Sequence, residues 1–256
     1  MTRIDWGKGT YESTAADLLP AARELVDAAR IKPGEHVVDV GAGTGNVALV
    51  AADLGARVTA VEPAARLREV IQESAGARDL TVVDGTAAEL PLADASADVI
   101  LSNFAVIFAP DPRAAIAEFA RVATSRVLLT SWLPGPMDKV VGVLAGAVRE
   151  ITGSGEAMEG QIDWHDPAVL AELFGQHGFE LTATVKDLAM TAASPEDYWE
   201  TRLANHPLGV ATLPLLEQAG RLTDVRTRVI DAIGNWTTPS GQVSIPSQYL
   251  LATATR

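Results

Sequence analysis

The sequence predicts an α/β fold, a doubly wound parallel sheet of Rossmann-like type with helical insertions in its C-terminal half. Two observations carry this. Short β-branched runs alternate with alanine-rich helical stretches through the first half of the chain. Residues 37–50, "VVDVGAGTGNVALV", then pass from an apolar run through an aspartate and a cluster of glycines into a helical stretch. Such alternation builds parallel strands joined by right-handed helical crossovers.

Taken in order, His36 to Gly41, Arg57 to Glu62, Leu80 to Asp84, Asp98 to Ser102 and Arg126 to Trp132 read as strands. They are mostly continuous apolar runs, as expected when both faces of a sheet are covered. Helices are expected over 46–54, 64–75 and 112–123. Asp111-Pro112, Asp166-Pro167 and Ser194-Pro195 each set a capping side chain before a proline, whose missing N–H costs nothing at a first helical position. Asp111 and Asp166 therefore read as caps, and Gly55 and Gly76 as left-handed C-terminal caps. Beyond Trp132 the rhythm changes to a helix over 137–151, a flexible Gly/Ser turn, a helix over 167–177 and a strand over 179–189. A helical insertion over about 195–234 precedes "GQVSIPSQYLLATATR", whose alternation reads as a last strand. The chain, 1–256, is read as a single domain whose segments 133–165 and 191–235 form a lid that binds substrate.

Charge and composition exclude several classes of function. Thirty-three acidic residues against twenty basic ones give a formal charge of −13, with no local basic stripe, so no nucleic-acid partner is expected. The chain has no cysteine, which removes disulfides, thiolate metal sites and a cysteine nucleophile, and no metal site is expected. The N-terminal "MTRIDWGKGTYES" lacks the apolar stretch of a secretory signal, and no run approaches the roughly 18 apolar residues of a membrane span. A cytoplasmic protein without membrane insertion is expected, and the apolar segments 140–148 and 208–216 are candidates for a pocket or a homodimer interface.

The glycine loop points to a nucleoside ligand. A strand ending in Asp39, then Gly41, Gly43 and Gly45, then a helix, lets a ligand rest on bare backbone with the helix N-terminus aimed at it. The dinucleotide pattern G-x-G-x-x-G, started at Gly41, would need glycine where the chain has Asn46; G-x-G-x-G is satisfied instead. Glu62, closing the second strand with Pro63 beside it, is placed to accept hydrogen bonds from vicinal ribose hydroxyls.

"VVDVGAGTGNVALVAADLGARVTAVEP", followed by "VVDGTAAELPLADASADVILSNFAVIFAPDP", resembles the class I S-adenosylmethionine-dependent methyltransferases, in particular the small-molecule branch of ubiquinone and menaquinone biosynthesis methyltransferases. The resemblance implies a seven-stranded sheet in the order 3-2-1-4-5-7-6 with an antiparallel last strand, and S-adenosyl-L-methionine as cofactor. It implies that Asp39 and the loop Gly41, Ala42, Gly43 and Gly45 hold the methionine part. Glu62 and Pro63 would then meet the ribose, Gly85, Thr86 and Ala87 the adenine, and Ser102, Asn103 and Phe104 the methionyl amino group and the sulfonium. Relatives commonly carry Gly-Asp-Ala where this chain has Gly85-Thr86-Ala87, so the adenine amino group is left to Thr86, to backbone or to Asp84.

Methyl transfer needs a nucleophile aligned with the S–CH₃ bond in a dry site, and an oxygen or carbon nucleophile can also need a base. His165, in "DWHDP" within the expected lid, is the candidate catalytic base; His36, at a strand start, reads as structural. Trp6, Tyr11, Phe108, Trp132 and Trp164 are candidate acceptor contacts. The leading function is methyl transfer to a small hydrophobic metabolite at carbon or oxygen rather than nitrogen. An NAD(P)-dependent oxidoreductase and a noncatalytic S-adenosylmethionine-binding protein are the alternatives, separated by NAD(P)H binding and by absence of turnover across a broad acceptor panel.

Overall fold

The computed structural model describes residues 4–153 and 161–256. The expected Gly/Ser turn and part of the 133–165 insertion fall on residues 154–160, outside the described residues. The strands are β1 (His36–Val40), β2 (Arg57–Val61), β3 (Leu80–Val83), β4 (Ala97–Asn103), β5 (Ala123–Trp132), β6 (Glu180–Ala192) and β7 (Val243–Thr255). They form one seven-stranded sheet in the order β3-β2-β1-β4-β5-β7-β6. β1 to β5 pair in parallel, and β7 runs antiparallel to β5 with Trp132 opposite Tyr249. This is the expected order and direction, and β1 is buried at every position, in keeping with its unbroken apolar run.

Helices α1 (Glu12–Ala29), α2 (Asn46–Asp53), α3 (Ala65–Ala75) and α4 (Pro112–Val122) accompany the first five strands. Asp111 accepts the Ala114 N–H at 2.9 Å and caps α4. Asp166 does the same for Ala168 at 2.8 Å before α6 (Pro167–Gly175), after α5 (Pro136–Thr152). Ser194 accepts from Asp197 at 3.1 Å before α7 (Pro195–Tyr198). Both aspartates are thus spent on orphan helix donors. Helix α1 was not expected from the sequence. Pro20 lies inside it, yet Ala15, Leu18, Ala22, Leu25, Val26 and Ala29 bury one stripe at helical spacing, and that burial overrides the lost bond. β5 starts at Ala123 rather than Arg126, because Ala123 already pairs with Ala97 and Thr124 Oγ1 donates to the Ala97 carbonyl at 3.0 Å. The insertion expected over 195–234 is broken into α7, a π-helical turn Trp199–Ala204, α8 (Pro207–Gln218) and α9 (Leu222–Gly234).

Two compact units divide the described chain, one of 4–17, 134–153 and 187–248, the other of 18–133, 161–186 and 249–256. The second holds the parallel strands and a core that includes Val38, Ile100, Phe119, Leu129 and Phe174. In the first, Val140, Leu144, Leu216, Val225, Val229 and Ile233 of α5, α8 and α9 are buried. There the chain start is fastened to 201–205: Thr10 N donates to the Asn205 carbonyl at 2.6 Å, Ser13 Oγ to Thr201 at 2.8 Å, and Arg202 pairs with Asp17 at 2.6 Å. Among the described residues no helix is long and apolar enough to cross a membrane.

Candidate active site

The site is built on the carboxyl ends of β1, β2 and β4. After Val40 the chain turns through Gly41, Gly43 and Gly45 with φ of 70°, 59° and 89°, a left-handed run that side chains resist. At Gly41 a second constraint acts, since a Cβ there would collide with Ala105 Cβ. Part of the glycine pattern thus serves a close approach of the protein to itself.

Gly45 is the N-cap of α2 and has no side chain to offer the first turn. Asp39, fully buried, takes that role from the strand, its Oδ2 accepting the Ala48 N–H at 3.0 Å. Burial pushes the Asp39 carboxyl up to about 7; the Ala48 bond opposes the shift and the neighbouring Glu62 charge adds to it.

Glu62 follows β2 and is 4% exposed. Its Oε2 accepts from Gly43 N and its Oε1 from Ala64 N, both at 2.9 Å, so one carboxylate ties the glycine loop to the start of α3. Burial raises its pKa, and the Ala64 and Gly43 bonds and the nearby Arg68 hold it back. A carboxylate offers about four acceptor positions. The two backbone bonds leave capacity for two more donors, as vicinal ribose hydroxyls require. Pro63 is exposed, and Arg68 Nη1 donates to the Glu62 and Pro63 carbonyls at 2.8 Å while meeting Asp84 at 3.0 Å. Asp84 is therefore paired. Beyond it, a Cβ at Gly85 would lie 2.7 Å from Pro91 Cδ and 2.9 Å from Val61 Cγ1, which explains that glycine by packing. Thr86 is exposed and bridged through its backbone to Glu89, and Ala87 packs against the core.

At the end of β4, Ser102 Oγ donates to the Val40 carbonyl at 3.0 Å and accepts the Val106 N–H at 3.1 Å, joining β4 to β1 and starting the 3₁₀ turn Val106–Phe108. Phe104 holds φ of 53°, uncommon for an aromatic residue, and its N–H donates to Thr130 Oγ1 at 2.8 Å. Its ring stacks on Trp132, centroids 4.0 Å apart, and meets Tyr249 edge-on at 5.3 Å. The ends of β4 and β5 and the middle of β7 thus contribute one aromatic cluster. Tyr249 OH donates to Glu24 Oε2 at 3.2 Å, which Lys186 Nζ meets at 3.0 Å; burial and the Glu24 charge push the phenol pKa up.

Phe108 is 47% exposed, whereas Trp164 is buried with its indole N–H unpartnered. His165 is half-buried in the turn before α6. In the first unit Trp6 and Tyr11 meet the ring of His206 at 5.9 and 5.8 Å. His206 Nδ1 accepts the Leu208 N–H at 3.2 Å, which puts the imidazole proton on Nε2, and burial lowers its pKa to about 4. It is a neutral donor rather than a base. His36 is structural, with Nδ1 2.6 Å from the Ser96 carbonyl and Nε2 2.9 Å from Thr59 Oγ1. Thr130 and Tyr249 were missed in the sequence; Tyr249 alone left a signal there, being the buried phase of the alternation Val243, Ile245, Ser247, Tyr249. Among the described residues no His, Asp and Glu cluster could hold a metal ion.

Residues 38–129 match the family described as methyltransferase domain. An uncharacterized protein of Mycobacterium tuberculosis is 39% identical over 123 residues, 47% of this chain and 45% of the relative. A ubiquinone/menaquinone biosynthesis C-methyltransferase of Rubrivivax gelatinosus is 40% identical over 103 residues, 39% of each chain. The match thus spans less than half the length of these curated relatives. The crystal structure of the YcgJ protein of Bacillus subtilis superposes with a TM-score of 0.62 at 18% identity, covering 93% of this chain and 98% of that one. Residues 38–129 are thus similar to the methyltransferase domain family, and the sheet that holds them shares its fold with the Bacillus subtilis structure.

Proposed function

We propose that this chain transfers a methyl group from S-adenosylmethionine to carbon or oxygen of a small, hydrophobic acceptor. The observation that carries the reading is Glu62, a buried carboxylate fixed by Gly43 N and Ala64 N with two acceptor positions left for ribose hydroxyls. The residues fit the cofactor: the Glu62 carboxylate suits a cationic ligand, and the loop around Gly43 is only half-buried. When bound, the cofactor supplies an electrophilic methyl group on a sulfonium.

The chain's own residues then bind and orient. Asp39 braces the glycine loop through α2, and the turn Gly85-Thr86-Ala87 takes the adenine. Thr86 replaces Asp84, which is engaged with Arg68. Phe104 and Trp132 form an apolar wall that keeps water from the sulfonium. Trp164, with an unspent indole donor, and Phe108 are assigned to the acceptor, as are Trp6 and Tyr11, and the segments 133–165 and 191–235 to its selection. His165 is assigned as the base for an oxygen or carbon acceptor.

Calorimetric titration with S-adenosylmethionine, S-adenosylhomocysteine and NADH tests the reading. Binding of the first two without the third is expected, followed by turnover with a member of an acceptor panel. NADH binding alone would assign the loop to a dinucleotide, and tight cofactor binding without any turnover would make the chain a noncatalytic binder.

A further inference from the structure

The Thr130 hydroxyl is fully buried and has two bonds in the described chain. It accepts the Phe104 N–H at 2.8 Å and lies 2.9 Å from Asn103 Oδ1. A hydroxyl has a single proton, and a backbone N–H can only donate, so the Thr130 proton goes to Asn103. Turning the Asn103 amide over would set its NH₂ against the hydroxyl oxygen and strand the hydroxyl proton in the core. The amide polarity is thereby fixed: Oδ1 faces Thr130 and Nδ2 faces away. Among the described residues no protein acceptor takes the Nδ2 protons, and the Asn103 side chain is only half-buried.

The end of β4 thus presents donors, while its surroundings are acidic. Residues 37–56 contain no Lys or Arg, and Asp39 and Glu62 lie buried nearby. β1 and β4 pair Asp39 with Leu101, so Asn103 stands level with Gly41 at the mouth of the glycine loop. A ligand carboxylate at this edge has no loop cation to meet and needs a neutral donor. We propose that Asn103, oriented by Thr130, reads the carboxylate of the cofactor's methionyl part, and that Thr130 is a positioning residue for it. This rests on the S-adenosylmethionine reading, and it reverses the sense in which the Ser102–Phe104 segment was expected to act, as a partner of the amino group.

The test compares S-adenosylhomocysteine with its decarboxylated analogue, which keeps the ammonium and lacks only the carboxylate. The full chain should prefer the carboxylated ligand. Asn103→Asp should weaken S-adenosylhomocysteine by about tenfold or more, as loss of a charge-assisted bond implies. The same variant should bind the decarboxylated analogue unchanged or more tightly. Thr130→Val should erode the preference and Thr130→Ser restore it to within about twofold, a rescue that a loosened fold would not show. An equal shift for both ligands in Asn103→Asp, or tighter S-adenosylhomocysteine, overturns the proposal and returns the segment to the ammonium or to an acceptor oxygen. A wild-type chain that binds neither nucleoside overturns the cofactor reading first. Should Thr130→Val not fold, the half-buried Asn103→Asp carries the comparison.

Discussion

Glu62→Gln exchanges one carboxylate oxygen for an amide nitrogen where Gly43 and Ala64 each donate an N–H at 2.9 Å. Whichever way the amide turns, its NH₂ faces one of those donors, so one backbone N–H loses its partner. That orphan costs about 1–3 kcal/mol of stability. The amide also has fewer acceptor positions and no charge for the ribose, which removes about 1.5–3 kcal/mol of binding. The dissociation constant should rise roughly 10- to 150-fold at the conversion of 1.4 kcal/mol per decade. Calorimetry with S-adenosylhomocysteine and its 2′-deoxy and 3′-deoxy analogues measures this, and thermal melting verifies the fold. Wild type should lose affinity when either hydroxyl is removed, and Glu62→Gln should lose much less, because the partner is already gone. Equal losses in the two proteins would refute the ribose assignment even if the variant binds weakly overall.

Asp39→Asn keeps an acceptor for Ala48 and removes the charge that burial disfavours. Because the folded pKa, about 7, lies above the unfolded value, stability is fully present below about pH 4 and is lost as pH rises through 7. Urea melts should show the variant gaining on wild type from pH 4 to pH 8, by at most on the order of 4 kcal/mol, and a gap that does not grow would count against a strained carboxylate. Gly41→Ala meets Ala105 with φ at 70°, so a loss of about 2–4 kcal/mol is expected in the same melts; a neutral effect would mean the turn relaxes freely. His165→Ala should lower kcat about 100-fold or more with unchanged S-adenosylhomocysteine affinity, measured with an acceptor from the panel, and unaltered kcat would remove His165 as the base.

The parallel strands and the acids at their ends were legible because both are local. An apolar run of the right length states a buried strand; Asp39 and Gly41 fall at the end of β1 and Glu62 at the end of β2, whatever packs around them. Helix α1 was not legible, since Pro20 speaks against it locally and only the buried stripe from Ala15 to Ala29 reveals it. The partners of the site residues were also hidden. Ala105 over Gly41, Thr130 on Asn103 and Tyr249 against Phe104 are contacts between segments far apart in the chain, with no spacing to announce them. Glu62 shows both sides: its place was evident, but its bonds to Gly43 and Ala64 were not.

The fastening of the sheet at its opposite edge has an evolutionary consequence. His36 bonds Ser96 and Thr59, the His36 N–H donates to Asp98 at 2.8 Å, and Arg126 grips Glu35 at 2.7 Å and the Ala29 carbonyl at 2.7 Å. These ties join β1, β2, β4 and β5 near their amino ends, a strand's length from the glycine loop. Substitutions at exposed positions of the ligand edge, away from Gly41, Glu62 and Ser102, can therefore accumulate while these ties stay intact. Loop changes at the ligand edge thus leave the fastening of the strands untouched.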